Sequence, residues 1–143
     1  MKKSEDVQAF AARIGPLVKQ YDAYKPFPDL AVNGRLTLSE NIADLGGLKI
    51  AYDAFEKAWT GKPRSVGSDG FTPEQRFFIS YAQHWRCIMR PEYLRLLVQT
   101  DTHAPAQYRV NGPLSNMAEF AWAFDCPVGC AMARAKEERP TVW

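Results

Sequence analysis

Residues 36–55, with the sequence LTLSENIADLGGLKIAYDAF, carry the feature that most restricts how this chain can fold. Apolar side chains recur there at the three- and four-residue spacing of a helix with one buried face. These side chains are Leu45, Leu48, Ala51, Tyr52 and Phe55. Helical signals dominate the rest of the chain, and only Asn33-Gly34 could turn a very short hairpin. The sequence therefore predicts one mainly α domain over residues 1–143, with at most a short β-hairpin near residues 31–36.

Two carboxylates and two glycines in this helix need an explanation. Glu40 and Asp44 are one turn apart and therefore lie side by side. Gly46 and Gly47 together cost roughly 2 kcal/mol relative to alanines in a helix interior. One interpretation is structural, because Thr37 and Glu40 have the spacing of a capping box and the helix dipole favours an acidic first turn. The pattern alone favours this interpretation, but it leaves the glycines unexplained. Adjacent glycines indicate the close approach of another helix, against which a site could form.

Start and stop signals place the other helices of the first half. Ser4 can cap a first helix, which Pro16 should kink or restart. Thr72 is a strong helix start, because Pro73 follows it and Gln75 completes a capping box.

Signals in the second half of the chain are weaker. A short helix is predicted from Pro91 to about Thr100. Residues 101–114, DTHAPAQYRVNGPL, are predicted to form a loop. Asn116 and Glu119 repeat the capping-box spacing and should start a last helix.

Composition and charge exclude several classes of partner. The net charge of the 143 residues is only +2, and the basic residues are scattered, so we expect no binding to nucleic acid. No apolar run approaches the roughly 18 residues of a membrane-spanning helix, so no membrane contact is predicted for this chain. Cys87, Cys126 and Cys130 form no CxxC pair and are predicted to be buried or partly buried free thiols.

His103, in the stretch TDTHAPAQYR, is a second candidate for chemistry. A lone histidine in a polar loop is more often a surface residue than a catalyst. Here Asp101 precedes it, Pro105 restricts the local backbone, and Arg109 follows. Together they could form a site for an oxyanion and a substrate carbonyl or carboxylate. Trp85, in an aromatic stripe of the preceding helix, is on general grounds a core residue.

Several segments, in the same order and over nearly the whole chain, resemble the C-terminal catalytic part of the neprilysin family of zinc metallopeptidases. The most specific segment is ENIAD, with NGRLTL before it and GGL after it. The others are FTPEQRFFISYAQHW, RPEY, TDTHAPAQYRVNGPLSNMAEFAWAFDC and the final VW. The resemblance implies that the fold is the helical C-terminal subdomain of a gluzincin-type metallopeptidase.

The resemblance also implies roles for three residues near the metal. Glu40 matches the third zinc ligand of the family. Asp44 matches the carboxylate that orients one of the zinc-binding histidines. His103 matches the histidine that stabilises the tetrahedral transition state. Gly46 and Gly47 would then allow the zinc-binding helix to pack closely against this one.

Three further residues match positions that bind substrate in this family. Arg109 matches the arginine that grips the substrate backbone beyond the scissile bond. Trp85 and the preceding His84 align with a pair that lines the pocket for the residue after the cut. The implied reaction is peptide cleavage by zinc-activated water, with one zinc ion in the full-length enzyme.

The zinc site of this family needs an H-E-x-x-H motif, which is absent from these residues. The only two histidines, His84 and His103, are 19 positions apart. We therefore interpret the chain as a C-terminal fragment of a zinc endopeptidase that holds one of three protein ligands. Alone it should neither cleave peptides nor bind zinc tightly. Its expected partners are a peptide substrate, the missing N-terminal lobe and the H-E-x-x-H helix, and an exposed apolar face predicts self-association.

Departures from the family pattern concern its cysteines. Cys126 matches a family cysteine whose partner lies in the missing lobe, and Pro140-Thr141 stand where many animal members have Cys-Arg. These differences indicate a bacterial-type parent, periplasmic or secreted. The competing hypothesis is a stand-alone helical binding or regulatory module derived from such a peptidase. Retention of the carboxylate pair together with His103 and Arg109 argues against it.

Overall fold

The computed structural model describes residues 2–141, with the side chains of residues 4–141. Within this range the chain forms six α-helices and one 3-10 helix, and its only β pairing is a bridge between Phe27 and Leu30. The helices are α1 (Lys2–Asp22), α2 (Leu38–Trp59), α3 (Pro73–His84), α4 (Pro91–Thr100), α5 (Ala106–Ser115) and α6 (Ala118–Ala123), and the 3-10 helix is Lys136–Glu138. The prediction of a mainly α chain is confirmed. Val142-Trp143, the last part of the resemblance, lie outside the described residues.

Two apolar clusters form the core, and α5 contributes to both. The first cluster consists of Leu17, Tyr21, Val32, Ala104 and Tyr108. The second consists of Leu48, Tyr52, Phe78, Leu114, Met117 and Ala123. Tyr108 and Leu114 are the two α5 residues of these sets, and α5 also packs against α1, α2, α3 and α6. It is therefore the central helix of the fold. None of the described helices is long and apolar enough to cross a membrane.

Local start signals predict α3 and α4 correctly, but not the start of α1. The Thr72 hydroxyl accepts the Gln75 N–H at 3.2 Å, and the Gln75 side chain accepts the Thr72 N–H at 3.0 Å, so the capping box is formed. The predicted limits of α4 are those observed. Ser4 lies inside α1 rather than capping it, and α1 continues through Pro16 without restarting.

The turn at Asn33-Gly34 leads into α2 and forms no β-hairpin. The side-chain carbonyl of Asn33 accepts the N–H groups of Arg35 and Leu36 at 3.1 and 2.9 Å. The main-chain carbonyl of Asn33 accepts the Thr37 N–H at 3.1 Å. These hydrogen bonds curl the chain instead of extending it, and no strand is described over residues 31–36.

The prediction of a loop over residues 101–114 is wrong, because most of this stretch forms α5. Gly112 and Pro113 are poor helix formers, which hides the helix from a local analysis. Packing against α1 outweighs this cost. A Cβ atom at Gly112 would lie 2.3 Å from the Tyr21 hydroxyl oxygen, so only glycine leaves room for the contact between the two helices.

A buried polar network joins α1 to the end of α5. The Gln20 side-chain amide donates to the Gly112 carbonyl and to the Ser115 hydroxyl, both at 3.1 Å. The Asn116 side-chain amide donates to Gln20 Oε1 at 2.8 Å and to the Gly112 carbonyl at 3.0 Å. Asn116 therefore does not form the predicted capping box with Glu119, and α6 begins without a side-chain cap.

Gly112→Ala is expected to destabilise the chain, although alanine is the better helix former. The Tyr21 side chain is fully buried and cannot move aside, so overpacking should lower the free energy of unfolding by about 1–3 kcal/mol. Gly15→Ala in α1 is the matched control, because its Cβ would meet nothing within 4 Å. That control should gain about 0.5–1 kcal/mol. Urea denaturation measures both changes, and stabilisation of both variants would contradict the packing account.

Candidate functional site

The first turn of α2 leaves the Glu40 carboxylate free of a capping role. In a capping box Glu40 would accept the Thr37 N–H, and the Thr37 hydroxyl would accept an N–H of the first turn. Instead, the N–H and the hydroxyl of Thr37 both donate to the Asn33 carbonyl, at 3.1 and 3.0 Å. The Thr37 hydroxyl also accepts a hydrogen bond from the Asn41 side chain at 2.9 Å. The capping interpretation of Glu40 is therefore wrong.

Glu40 faces two residues from the distant segment that includes the start of α5. Its Oε2 atom lies 3.3 Å from His103 Nε2 and 3.6 Å from Arg109 Nη2. The side chains of Glu40 and His103 are 36% and 45% exposed, so both border open space. A carboxylate and an imidazole nitrogen thus meet at the surface, where each can reach an additional group.

Asp101 holds the His103 ring in place. Asp101 Oδ1 lies 2.8 Å from His103 Nδ1 and accepts the His103 main-chain N–H at 2.9 Å. These contacts with His103 hold the pKa of the Asp101 carboxyl below its usual value. The ring is therefore oriented with Nε2 toward Glu40. Asp101 was not among the predicted site residues, although the Asp-x-His spacing is a signal that identifies it as the partner of His103.

Arg109 is held between a carboxylate and an indole ring. Its Nε and Nη2 atoms donate to the two carboxylate oxygens of Asp44, both at 2.7 Å. The two side chains are only 13% and 10% exposed, and the contact with Asp44 raises the pKa of Arg109. The guanidinium carbon lies 4.0 Å from the centre of the Trp85 ring, which is within cation–π distance. The bidentate pair and the stacked ring fix the guanidinium plane.

An open cavity of about 290 Å³ lies beside these groups. Trp85, Asp101, His103 and Arg109 are among the residues that line it. Cys87 lines it as well, and its thiol is exposed rather than buried as predicted. The other two cysteines are partly buried, as predicted, and all three are free.

His84 is the one predicted site residue that lies apart from this cluster. It is exposed, stands edge-on to Trp85 and lines a different groove of about 560 Å³. That groove runs between α2 and α3 and is mainly apolar, with Phe55, Trp59 and Phe77 among its lining residues. The remaining five predicted residues are Glu40, Asp44, Trp85, His103 and Arg109, and the fold brings them together from α2, the end of α3 and the start of α5.

The described residues fit one part of a zinc site. They contain no group of three His, Cys, Asp or Glu side chains that could hold a metal ion together. Glu40 offers one exposed carboxylate, whereas a catalytic zinc site uses three protein ligands and a water molecule. Glu40 therefore fits the role of one protein ligand in a zinc site that other residues complete.

Comparison with known proteins decides the family. The model of peptidase family M13, the neprilysin family, matches residues 1–139. The chain belongs to peptidase family M13. The family resemblance inferred from the ENIAD and THAP segments is thereby confirmed.

The similarity to M13 relatives extends over most of the chain. Neprilysin-21 of Caenorhabditis elegans is 40% identical over 98% of the chain, and human endothelin-converting enzyme 1 is 42% identical over 91%. The chain spans only 19% and 17% of the lengths of these two proteins, or about a fifth.

Solved structures of M13 peptidases share the helical fold. Zinc metalloprotease Zmp1 of Mycobacterium tuberculosis, solved with an inhibitor, superposes with a TM-score of 0.88 at 37% identity. That match covers 95% of this chain and 22% of Zmp1. PepO of Lactobacillus rhamnosis superposes with a TM-score of 0.77 at 36% identity, over 98% of this chain and 20% of PepO. The expected helical fold of an M13 peptidase is therefore confirmed.

Proposed function

We propose that this chain is the part of an M13 zinc endopeptidase that supplies one zinc ligand and the groups acting on the substrate. One observation carries the proposal: Glu40, Asp44, His103 and Arg109 form a continuous chain of contacts of 2.7–3.6 Å. The Glu40 carboxylate takes no part in capping α2, so the capping explanation for it is removed. A stand-alone binding module would have no need of this cluster.

Glu40 is the residue that would bind zinc. The two histidines of an H-E-x-x-H helix elsewhere in the polypeptide would complete the protein ligands. Zinc held there would supply Lewis-acid chemistry for the scissile carbonyl and for the attacking water. Asp44 keeps lone pairs beyond its two hydrogen bonds to Arg109, so it can also accept an N–H from a zinc-binding histidine.

His103 is proposed to stabilise the oxyanion of the tetrahedral intermediate. Asp101 fixes the orientation of the ring through Nδ1, which leaves Nε2 facing the space beside Glu40. When the ring carries both protons, Nε2–H can donate to the developing negative charge. Because the donor is already oriented, little reorganisation is needed during the reaction.

Arg109 is proposed to bind a main-chain carbonyl of the substrate. Asp44 takes the Nε–H and one Nη2–H, whereas Nη1 has no hydrogen-bond partner among the described residues. The Nη1–H groups are therefore available to a peptide carbonyl. Trp85 covers one face of the guanidinium and would form an apolar wall next to the same substrate residue. We place His84 at the far side of this wall, where it would act on substrate only at longer range.

The outer face of α2 is the proposed docking surface for the zinc-binding helix. Ala43, Gly47 and Ile50 are exposed on this face, and a Cβ atom at Gly47 would meet nothing within 4 Å. This open space allows a second helix to approach closely. In its absence the same apolar surface favours self-association of the chain.

Complementation tests this proposal directly. Residues 1–143 alone are expected to show neither peptide hydrolysis nor stoichiometric zinc binding. The same residues joined to the H-E-x-x-H segment of their own polypeptide should show both. Hydrolysis of a short fluorogenic peptide and zinc content by atomic absorption are the measurements. Zinc-dependent cleavage by residues 1–143 alone would refute the proposal.

A further inference from the structure

The main-chain carbonyl of Arg109 lacks its usual α-helical hydrogen-bond donor in α5. In an α-helix this carbonyl would accept the N–H of the residue four positions later. That residue is Pro113, which has no N–H and whose ring crowds the carbonyl four positions before it. The carbonyl of the proposed substrate-binding arginine is therefore open to a donor from outside α5.

The hydroxyl group of Tyr81 supplies this donor. Tyr81 lies near the end of α3 and donates to the Arg109 carbonyl at 2.8 Å, across 28 positions of sequence. Its ring is half-buried and packs against the second apolar cluster, so the side chain is anchored independently of the hydroxyl. Burial raises the pKa of Tyr81, so the hydroxyl keeps its proton at the pH values at which a peptidase works.

The same end of α3 contacts the side chain of Arg109 as well. Trp85 is one turn after Tyr81 and stacks its ring on the guanidinium group. Helix α3 and the residue that follows it thus contact both the main chain and the side chain of Arg109. Asp44 of α2 binds the edge of the guanidinium group. A shift of α5 relative to α3 would move the arginine away from both contacts.

We propose that Tyr81 is a positioning residue for Arg109, and that its hydroxyl replaces the helix hydrogen bond that Pro113 removes. This inference rests on the proposed substrate-binding role of Arg109. The bond between the Tyr81 hydroxyl and the Arg109 carbonyl ties the first turns of α5 to α3. Misplacing a binding group by about 1 Å can cost up to about 100-fold in rate, so a single main-chain bond at this point matters.

Kinetics of the complete peptidase test the positioning role. Tyr81→Phe keeps the anchored ring and removes only the hydroxyl, so we expect KM to rise about fivefold, the equivalent of one hydrogen bond of about 1 kcal/mol, with kcat within about twofold. Pro113→Ala restores an N–H that can reach the Arg109 carbonyl, and alone it should leave KM nearly unchanged. In the double variant KM should return to the Pro113→Ala value.

Thermal unfolding tests the hydrogen bond without a substrate. The four proteins compared are the unaltered complete peptidase, Tyr81→Phe, Pro113→Ala and the double variant. The loss of Tm in Tyr81→Phe should be smaller than the roughly 2–4 °C that a loss of about 1 kcal/mol causes in a domain of about 150–250 residues, because the complete peptidase is larger. This loss should disappear in the Pro113→Ala background. Tyr52→Phe is the matched control, because its buried ring lies in the same aromatic cluster and its hydroxyl makes no hydrogen bond to Arg109 among the described residues. It should leave KM unchanged in both backgrounds.

The kinetic and unfolding results together decide between three explanations. Additive Tm changes for Tyr81→Phe and Pro113→Ala would show that the hydroxyl does not replace the helix bond, and would overturn the inference. Non-additive Tm changes with an unaltered KM in Tyr81→Phe would overturn the positioning role. If Arg109→Lys leaves KM unchanged, the proposed function of Arg109 fails instead, and the unfolding cycle still decides whether the hydrogen bond exists.

Discussion

Replacing Glu40 by glutamine in the complete M13 peptidase is expected to lower zinc content and kcat/KM by more than about 100-fold, which exceeds the usual effect of losing a group behind a metal ligand. The amide has nearly the same size but is neutral and a much weaker ligand for zinc. Because the Glu40 side chain takes no part in capping α2, the substitution should leave the fold intact. Zinc content after dialysis, hydrolysis of a fluorogenic peptide and the Tm of the metal-free protein are the measurements.

Two further variants serve as comparisons for the expected effect of Glu40→Gln. Asp44→Asn should cost about 10–100-fold in zinc affinity or activity, as expected for a group that orients a ligand. Asp53→Asn is the control, because Asp53 is an exposed carboxylate farther along α2, outside the cluster of site residues. It should behave like the unaltered enzyme. Full zinc content in Glu40→Gln would contradict the assignment of Glu40 as a ligand.

His103→Ala is expected to lower kcat by about 10²–10³-fold, the usual effect of removing one donor that stabilises an oxyanion. Its KM should change little, because the proposed contact forms mainly in the transition state. Zinc content should be unchanged, which separates His103 from Glu40 although the two side chains are 3.3 Å apart. Loss of zinc from His103→Ala would instead make His103 a ligand.

The partner of His103 provides a graded comparison. Asp101→Asn keeps the size of the side chain but weakens its hold on the ring, so kcat should fall less than in His103→Ala. Thr102→Ala is the control, because this exposed residue in the same loop makes no side-chain hydrogen bond among the described residues. An Asp101→Asn variant with full kcat would mean that the ring needs no fixed orientation.

Helices with strong local signals could be predicted from the sequence, and the central helix could not. Thr72 and Gln75 start α3 through hydrogen bonds between neighbours in the chain, so the sequence itself contains both partners. The signals for α5 are different. Gly112 and Pro113 oppose a helix locally, and the compensation comes from Gln20 and Tyr21 of α1, about 90 positions away.

The candidate site, like the fold, could be predicted from the sequence only in part. Spacing made several of its residues candidates, but their roles could be named in advance only through the family resemblance, since spacing alone favoured a capping role for Glu40. That role fails because Asn33 accepts both donors of Thr37, a competition that a spacing rule does not contain. The sequence also does not show that His84 and Trp85, which are adjacent in the chain, line different cavities.

The sequence by itself determined the helical class, the limits of α4, the capping box of α3 and the family to which the chain belongs. Tertiary structure alone decided that Glu40 faces His103 and that Asp44 pairs with Arg109, 65 positions away. The physical reason is the range of the interactions. The hydrogen bonds of a cap or a turn are made by groups within about four residues of each other. Arg109, in contrast, is held by an aspartate, an indole ring and a tyrosine hydroxyl from segments that come together only after folding.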